Sequence, residues 1–310
     1  MLLAGSACGG ASASKRLATS DAGPHTSERT VSIEVLRVGE RSLETDEGAG
    51  IYYPKVTPLG GVEICVVKQR AAFASFQSFE ALRPKICRTN VANETVRLSG
   101  VPANSDLLMT YTKQGFRPVM TTFRTDEFDV AVPTWADNST YFIPLVREDA
   151  ALPVESTPTA QTAQGLVAIW VTATGEYGTG DGTAVFNADE DPGAAQADGV
   201  EVQVDDAAGH SITTLRTLRD RPLFISLPQS SYALRFTHPV MELVPTGVQE
   251  QYMIGGLPTD VENTIEVPIE PPFLSLATVD GFCPLPPDDS QPFRDLATCT
   301  LSDIRDAGMP

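Results

Sequence analysis

Gly61-Val62-Glu63-Ile64-Cys65-Val66-Val67 opens the stretch that decides the fold of this chain. Two further runs follow it, Val96-Arg97-Leu98-Ser99-Gly100-Val101-Pro102-Ala103 and Leu107-Leu108-Met109-Thr110-Tyr111-Thr112-Lys113-Gln114-Gly115-Phe116. The runs are rich in β-branched and other apolar residues, and turn-forming residues separate them. Because no helical period connects the runs, the stretch predicts consecutive β-strands.

The order of these segments resembles the carboxypeptidase regulatory-like (transthyretin-like) β-sandwich. The matching segments are Gly61-Val62-Glu63-Ile64, Gly100-Val101-Pro102-Ala103-Asn104 and Lys113-Gln114-Gly115-Phe116. Two departures stand out: Asn104 occupies the place of the usual second glycine, and Thr89-Asn90-Val91-Ala92-Asn93 replaces the T-D-x-x-G turn. The resemblance implies a β-sandwich of the kind that accompanies a peptidase, and it implies no catalytic residues.

A second, diverged copy of the pattern lies further along the chain. Gly199-Val200-Glu201-Val202 echoes the Gly61 segment, and Phe224-Ile225-Ser226-Leu227-Pro228 echoes the segment that ends at Ala103. At 310 residues the chain is long enough to bury two cores. The sequence therefore predicts an all-β protein of two tandem Ig-like/transthyretin-like β-sandwich domains behind a flexible N-terminal tether. The predicted boundaries are 1–29 for a signal remnant and tether, 30–148 for the first sandwich, 149–164 for a linker, 165–282 for the second sandwich and 283–310 for an irregular tail.

The charge balance excludes two classes of partner. The formal net charge is −18, from 40 acidic and 22 basic residues, and no Lys or Arg lies between Arg147 and Arg216. Such a surface repels phosphate backbones, so nucleic-acid binding is not expected. Docking on anionic lipid through a basic patch is not expected either.

The first ten residues resemble the end of a bacterial lipoprotein signal peptide. A short apolar run meets Gly5-Ser6-Ala7 directly before Cys8, and Gly9 follows it. The resemblance implies an exported protein with a lipid on Cys8, anchored at the outer membrane or otherwise periplasmic or at the cell surface. We expect the true start to lie upstream of Met1 and residues 9–29 to act as a tether. The alternative is an ordinary N-terminus with an incidental cysteine.

Five cysteines are present, an odd number. If Cys8 carries lipid, Cys65 and Cys87 remain as one pair and Cys283 and Cys299 as another. Disulfides in both pairs fit an exported, oxidising setting. The alternatives are free buried thiols or a zinc site, although the C-x-x-C spacing typical of zinc is missing.

Candidate ligand-binding residues are few. Oxygen-bearing side chains alternate at Asn187, Asp189 and Asp191, and Asp198 stands twelfth from Asn187, a pattern related to calcium loops. Pro192, however, occupies the position where such loops need glycine, so a solvated acidic loop is the competing interpretation. The aromatic residues available for stacking on a sugar are Trp135, Trp170, Tyr177 and Tyr232. Tyr177, between Gly175 and Gly178, is the one expected to be exposed.

Catalytic motifs are missing from the sequence. The three histidines, His25, His210 and His238, form neither H-E-x-x-H nor a related zinc pair, and no G-x-S-x-G is present. We therefore predict a non-enzyme without a cofactor beyond a weak Ca²⁺ site. The predicted role is structural, adhesive or binding at the bacterial cell envelope, with an envelope protein or polysaccharide as partner. The alternatives are a carbohydrate-binding accessory protein and a hydrolase with a site between the domains, built on His210 or His238.

Overall fold

The computed structural model describes residues 30–35, 37–41, 56–71, 74–125, 142–156, 164–175, 197–218, 222–245, 255–283, 294–295 and 300–301. All secondary structure in these ranges is β, which confirms the predicted fold class. Within the same ranges no helix has the length and apolarity needed to cross a bilayer.

The first half of the chain supplies ten strands. They are β1 Thr30–Val35, β2 Arg37–Arg41, β3 Val56–Pro58, β4 Glu63–Ala71, β5 Glu80–Thr89, β6 Val96–Pro102, β7 Ser105–Thr112, β8 Val119–Thr125, β9 Phe142–Leu145 and β10 Val154–Ser156.

The second half supplies eleven strands. They are β11 Gln164–Gly175, β12 Glu201–Asp206, β13 Ser211–Arg216, β14 Leu223–Pro228, β15 Ser230–Thr237, β16 Glu242–Pro245, β17 Leu257–Pro258, β18 Thr264–Ile269, β19 Leu274–Cys283, β20 Arg294–Asp295 and β21 Thr300–Leu301.

One nine-stranded sheet runs through both halves of the chain. Its order is β10-β14-β11-β19-β8-β7-β4-β5, with β16 paired to the far end of β19. The halves meet where β19 lies parallel to β8, with Leu274 opposite Val119 and Ser275 opposite Met120. The remaining sheets are β1-β6, β3-β2-β9, the five-stranded β13-β12-β15-β18-β17 and the small β20-β21 pair.

Two separate hydrophobic cores confirm the two tandem sandwiches. The first core packs β1, β2, β6 and β9 against β4, β7 and β8, and Ile33, Ile64, Leu107, Tyr111 and Leu145 are among its buried members. The second core packs the five-stranded sheet against β11, β14 and β19, and Val167, Ile225, Leu234, Phe236 and Val267 are among its members.

Strands β14, β11 and β19 form a central layer that contacts both cores. On β11, Val167 and Ile169 point into the second core while Leu166 and Ala168 pack against the first. Since neighbouring side chains of a strand point to opposite faces, a strand buried on both sides needs an unbroken apolar run. The run from Gly165 to Val171 meets that need.

The other members of the central layer divide in the same way. Phe224 of β14 and both Leu274 and Leu276 of β19 belong to the first core. Ile225 of β14 and Val279 of β19 belong to the second. The first core therefore contains side chains that the second half of the chain supplies.

Three local features add to the sequence analysis. The run Tyr141–Val146 predicts a strand that closes the first sheet, but Phe142–Leu145 forms β9 in the three-stranded sheet, parallel to β2. The phenylalanines spaced by three in Ala71–Leu82 fit a short helix or an apolar loop, and the described residues 75–76 form a turn between β4 and β5. Within the predicted linker 149–164, Val154–Ser156 forms β10, which pairs parallel to β14.

Candidate functional site

A disulfide joins Cys65 and Cys87, as the sequence predicts. The two residues face each other in the antiparallel pairing of β4 with β5, with their Cα atoms 4.2 Å apart. The bond closes the hairpin between two strands at the edge of the nine-stranded sheet. Cys8 and Cys299 lie outside the described residues, so the lipid site and the Cys283–Cys299 pair stay predictions.

A buried group of four charged side chains lies beyond this disulfide along β4. We call it the Arg70 cluster, and it comprises Arg70 of β4, Asp106 of β7, Arg124 of β8 and Glu266 of β18. The side chains of Arg70, Asp106 and Glu266 are 2%, 0% and 1% exposed, and that of Arg124 is 12% exposed. The cluster thus joins three strands of the first sandwich to one strand of the second.

Arg70 is the centre of the cluster. Its Nη1 and Nη2 donate to both carboxylate oxygens of Glu266, at 2.9 and 2.7 Å. Its Nε donates to Oδ2 of Asp106 at 3.1 Å. A guanidinium that meets a carboxylate through two parallel bonds fixes both distance and orientation, which a lysine could not do.

Asp106 is shared between two arginines. Nε and Nη2 of Arg124 donate to its two carboxylate oxygens at 2.6 and 3.3 Å. The cluster therefore contains two positive and two negative charges, and its formal charge is zero. Burial of a single charge without such a partner costs several kcal/mol, whereas a matched and hydrogen-bonded set is tolerated.

Strand alternation explains why the charged side chains of the cluster point away from the two hydrophobic cores. In β7, Leu107, Met109 and Tyr111 fill the first core, so the strand period of two places Asp106 on the opposite face. In β18, Ile265, Val267 and Ile269 fill the second core, which places Glu266 on the face away from it. The faces of β7 and β18 that point away from their cores lie against each other. The ion pairs of the Arg70 cluster neutralise the charges on these faces.

The turn after β4 completes the cluster. We call residues 74–79 the clasp loop. Its Phe76 backbone N–H donates to Oε2 of Glu266 at 3.0 Å, and its Gln77 carbonyl accepts from Arg70 at 3.3 Å. The guanidinium of Arg70 lies 4.6 Å from the centre of the Phe79 ring, a cation–π distance. Phe76 has a φ of 57°, so its backbone takes a left-handed conformation to make this contact.

Weaker contacts surround the cluster. Lys68 of β4 forms a half-exposed ion pair with Glu270, just after β18, at 2.6 Å. The backbone N–H of Gly256 donates to the Thr122 hydroxyl at 2.7 Å, which links the segment before β17 to β8. Like the buried Arg70 cluster, these two peripheral contacts join the first sandwich to the second.

The arrangement is suited to holding strands together. Each charged group in the cluster is engaged by an opposite charge. Over the described ranges, His, Cys, Asp and Glu side chains form no group of three that could hold a metal ion. The contacts of the cluster are ion pairs that join strands of the two sandwiches.

The residues that carry the family resemblance have structural roles. The Nζ of Lys113 donates to the Gly60 carbonyl at 2.7 Å, next to Gly61, which has a φ of 70°. Asn104 has a φ of 49°, the left-handed region that glycine adopts at low cost and asparagine tolerates. These residues fix the turns between strands.

The calcium candidates are not brought together in the described structure. Asn187, Asp189 and Asp191 lie outside the described residues. Asp198 lies in a bend before β12, and its charge acts on His238. The calcium loop therefore stays a prediction.

The aromatic candidates divide in three ways. Tyr177 and Trp135 lie outside the described residues. Trp170 lies in β11 of the central layer and is half-buried. Tyr232 is 4% exposed and its hydroxyl donates to the Pro228 carbonyl at 3.0 Å, so the prediction that it is available for stacking is wrong. Tyr232 belongs to the second core because the even positions of β15 point inward.

The histidines that the hydrolase alternative needs lie apart from the Arg70 cluster. His210 is 80% exposed in the turn between β12 and β13, with Nδ1 3.2 Å from Oδ2 of Asp206. His238 follows β15, and its Nδ1 accepts the backbone N–H groups of Val240 and Met241 at 3.2 and 2.8 Å. His25 lies outside the described residues. The rings of His210 and His238 each have a local partner in the described structure.

Sequence reasoning missed the Arg70 cluster. Asp106 precedes an apolar run, and Glu266 stands within Thr264-Ile265-Glu266-Val267-Pro268-Ile269, so strand alternation alone assigns both to a solvent face. Nothing in one sequence shows that two such faces are stacked on each other. A signal did exist, because a charge in an otherwise apolar strand is unusual.

Comparison with known proteins gives no family. No family model matches the chain, and no curated protein matches it. Membership of the carboxypeptidase regulatory-like family therefore stays a prediction, although the β-sandwich that the resemblance implies is confirmed.

Several solved structures match the chain at very low identity and low TM-score. The TIE protein of Bacillus anthracis is 10% identical over 81% of this chain and 34% of its own, with a TM-score of 0.23. BcpA, the major pilin subunit of Bacillus cereus, is 10% identical over 72% of this chain and 59% of its own, with a TM-score of 0.23. An adhesin of Mobiluncus mulieris is 8% identical over 83% of this chain and 99% of its own, with a TM-score of 0.22. This chain thus spans less than two thirds of the first two proteins, at 34% and 59% of their lengths, and at these TM-scores we take no argument from the likeness.

Proposed function

We propose that the chain is a non-catalytic, structural or adhesive module of an exported bacterial envelope protein, held to the membrane by a lipid on Cys8. The observation that carries this proposal is the Cys65–Cys87 disulfide in the β4–β5 hairpin. Structural disulfides form and persist in oxidising compartments and are rare in the cytosol. The small-residue segment before Cys8 supplies a route to that compartment.

The ionic interior supports a structural role. The Arg70 cluster uses its charges to join the two sandwiches, and it presents none of them as an open nucleophile or base. The formal net charge of −18 favours the solubility of such a module and repels anionic surfaces. The partner that we propose is an envelope protein or polysaccharide.

Lipid attachment is tested with the natural gene in a bacterium that processes lipoproteins. We expect the wild-type protein in the membrane fraction, with an intact mass raised by a diacylglyceryl group. The variant Cys8→Ser should move to the soluble fraction without that mass. A wild-type protein that is soluble and unmodified would remove the anchor from the proposal.

The disulfide is tested on the same material. Alkylation in denaturant without reductant, and again after reduction, should label Cys65 and Cys87 only in the second step, because denaturation exposes any buried free thiol to the first reagent. The variant with Cys65→Ser and Cys87→Ser should lose roughly 3 kcal/mol of unfolding free energy in urea, as expected for a loop of this length. Cysteines that are alkylated in the first step would place the protein in a reducing compartment.

The adhesive role is tested with whole cells. Cells that display the wild-type protein are compared with Cys8→Ser cells for attachment to protein-coated and polysaccharide-coated surfaces. Attachment that depends on the wild-type protein supports an adhesive role. Equal attachment on all surfaces leaves the purely structural role, and attachment confined to polysaccharide would favour a carbohydrate-binding module.

A further inference from the structure

The β4–β5 hairpin has three features that act together. Its base is closed by the Cys65–Cys87 disulfide, its strand β4 carries Arg70, and its turn is the clasp loop. Both Arg70 and the clasp loop bind the same carboxylate, that of Glu266 in the second sandwich. The contact spans 196 residues of sequence between Arg70 and Glu266.

The hairpin lies at an edge of the nine-stranded sheet. Among the described strands, β5 pairs only with β4, so β4 supplies all of the ladder that holds it. Strand β4 is also held by β7 along its length, so β5 and the clasp loop are the parts of the hairpin that could open locally at low cost. The contact with Glu266 attaches the clasp loop to a strand that belongs to the other core.

We propose that the hairpin and Glu266 form a latch, in which the clasp loop and Arg70 close on β18 and tie the opening of the hairpin to the opening of the second sandwich. The latch is ionic and buried, so it holds as long as the carboxylate of Glu266 is present. The disulfide keeps Arg70 and the clasp loop on the same rigid hairpin. The contacts between Arg70, the clasp loop and Glu266 do not depend on the cellular location proposed above.

Two alternatives predict different behaviour. If the Arg70 cluster only adds stability, removal of Glu266 weakens the whole protein evenly. If the hairpin opens on its own in the wild-type protein, removal of Glu266 changes nothing locally. The latch alone predicts that removal of Glu266 frees the hairpin while the second core stays closed.

Hydrogen exchange of the full chain separates these cases, with Glu266→Gln as the variant. We expect the amides of the clasp loop and of β5 to exchange about a hundredfold faster than in wild type, the size that loss of a buried ionic partner implies. Amides of β11 and β12 should change far less. Uniform acceleration at all positions, or no acceleration in the hairpin, would overturn the latch.

Glu270→Gln is the matched control. It makes the same chemical change four residues along the chain, in the half-exposed pair with Lys68. Since such pairs contribute little, hairpin exchange should rise by no more than about fivefold. An effect as large as that of Glu266→Gln would assign the coupling to charge in general and overturn the specific latch.

A wild-type measurement decides the matter if Glu266→Gln fails to fold. Exchange is followed at increasing urea below the unfolding transition. The latch predicts that the clasp-loop amides and the β18 amides share one opening, with the same urea dependence. Clasp-loop amides that open with a smaller urea dependence than β18 would overturn it.

Discussion

At the residue scale, asparagine supports several tight turns of this chain. Asn93, Asn104 and Asn263 have φ values of 65°, 49° and 52°. A side chain with a Cβ is strained in this region, and asparagine tolerates it better than most residues. Asn104 thus does the work of the glycine that the carboxypeptidase regulatory-like pattern has at this position.

Substitution of Asn104 tests that interpretation. We expect Asn104→Ala to lower the unfolding free energy by about 1 kcal/mol, while Asn104→Gly stays within about 0.5 kcal/mol of wild type. Gln114→Ala, in an exposed turn at the other end of β7, is the control and should change little. Urea denaturation measures all three, and equal losses for alanine and glycine would contradict the conformational argument.

His238 gives the protein a pH dependence. Burial lowers the pKa of His238 below its ordinary value of 6.5, and the charge of Asp198 partly opposes this. The neutral ring also accepts two backbone N–H groups through Nδ1. As the pH falls below about 6.5, the unfolded chain takes up the proton first, so the folded state loses stability until its own His238 is protonated.

The variant His238→Asn isolates this effect. The asparagine oxygen can accept the same N–H groups but does not titrate. We expect the fall in unfolding free energy between pH 7 and pH 5 to be smaller in the variant than in wild type. An unchanged slope in urea titrations at these two pH values would show that other groups cause the dependence.

Contacts between residues were predicted correctly where they depend on features that are visible in the sequence. The pairing of Cys65 with Cys87 follows from the odd number of cysteines and from the closeness of these two in the sequence. Glu266 and Arg70 could not be paired in this way, because their contact depends on how two sheets stack. The burial of Tyr232 was missed for the same reason, since alternation identifies two faces without saying which one is covered.

At the element scale, β5 is an edge strand with several protective features. Its register with β4 jumps from Val66–Ile86 to Lys68–Ala81, which leaves residues 82–85 as a bulge. That bulge contains Arg83, Pro84 and Lys85, all exposed. Charges, proline and bulges are the devices by which natural proteins keep an open edge from pairing with another chain.

Removal of these devices should expose the edge. We expect the variant Arg83→Val, Pro84→Val and Lys85→Val to self-associate more than wild type, as measured by sedimentation velocity over a concentration series. Thr89→Val is the control. It lies on the same strand outside the bulge and raises β-propensity without removing a charge or the proline. If the triple variant sediments like wild type and this control, the bulge is not protective.

Secondary-structure elements were predictable where the pattern of apolar residues matches the faces that are buried. The run from Gly165 to Val171 is apolar throughout, and it is a strand because both of its faces are covered. The secondary structure of residues 71–82 could not be predicted from the sequence, because phenylalanines three residues apart fit a helical turn as well as a loop. The loop conformation depends on Glu266, which lies far along the chain.

At the scale of the whole molecule, the two sandwiches share their central layer. The first core contains Phe224, Leu274 and Leu276 from the second half, so division of the chain near residue 150 also divides this core. Sequence analysis predicted two repeats in tandem, and two cores exist. It could not show that strands of the later repeat pack against the earlier one.

A fragment of residues 30–148 tests this sharing. We expect it to lack the dispersed amide spectrum and cooperative unfolding of the full chain, because it loses three large side chains from its core and the β19 pairing at β8. Addition of the separate fragment 149–310 should restore part of the dispersion. A fragment 30–148 that unfolds cooperatively on its own would show that the shared layer is dispensable.

The Arg70 cluster also has a consequence for the order in which the protein is made. Arg70, Asp106 and Arg124 leave the ribosome early with an excess positive charge, and Glu266 follows Arg70 by 196 residues. At bacterial and eukaryotic rates of synthesis that delay is roughly 10 to 40 s. During this interval the cluster lacks the carboxylate of Glu266, so the first half cannot complete its buried contacts until most of the chain has been translated.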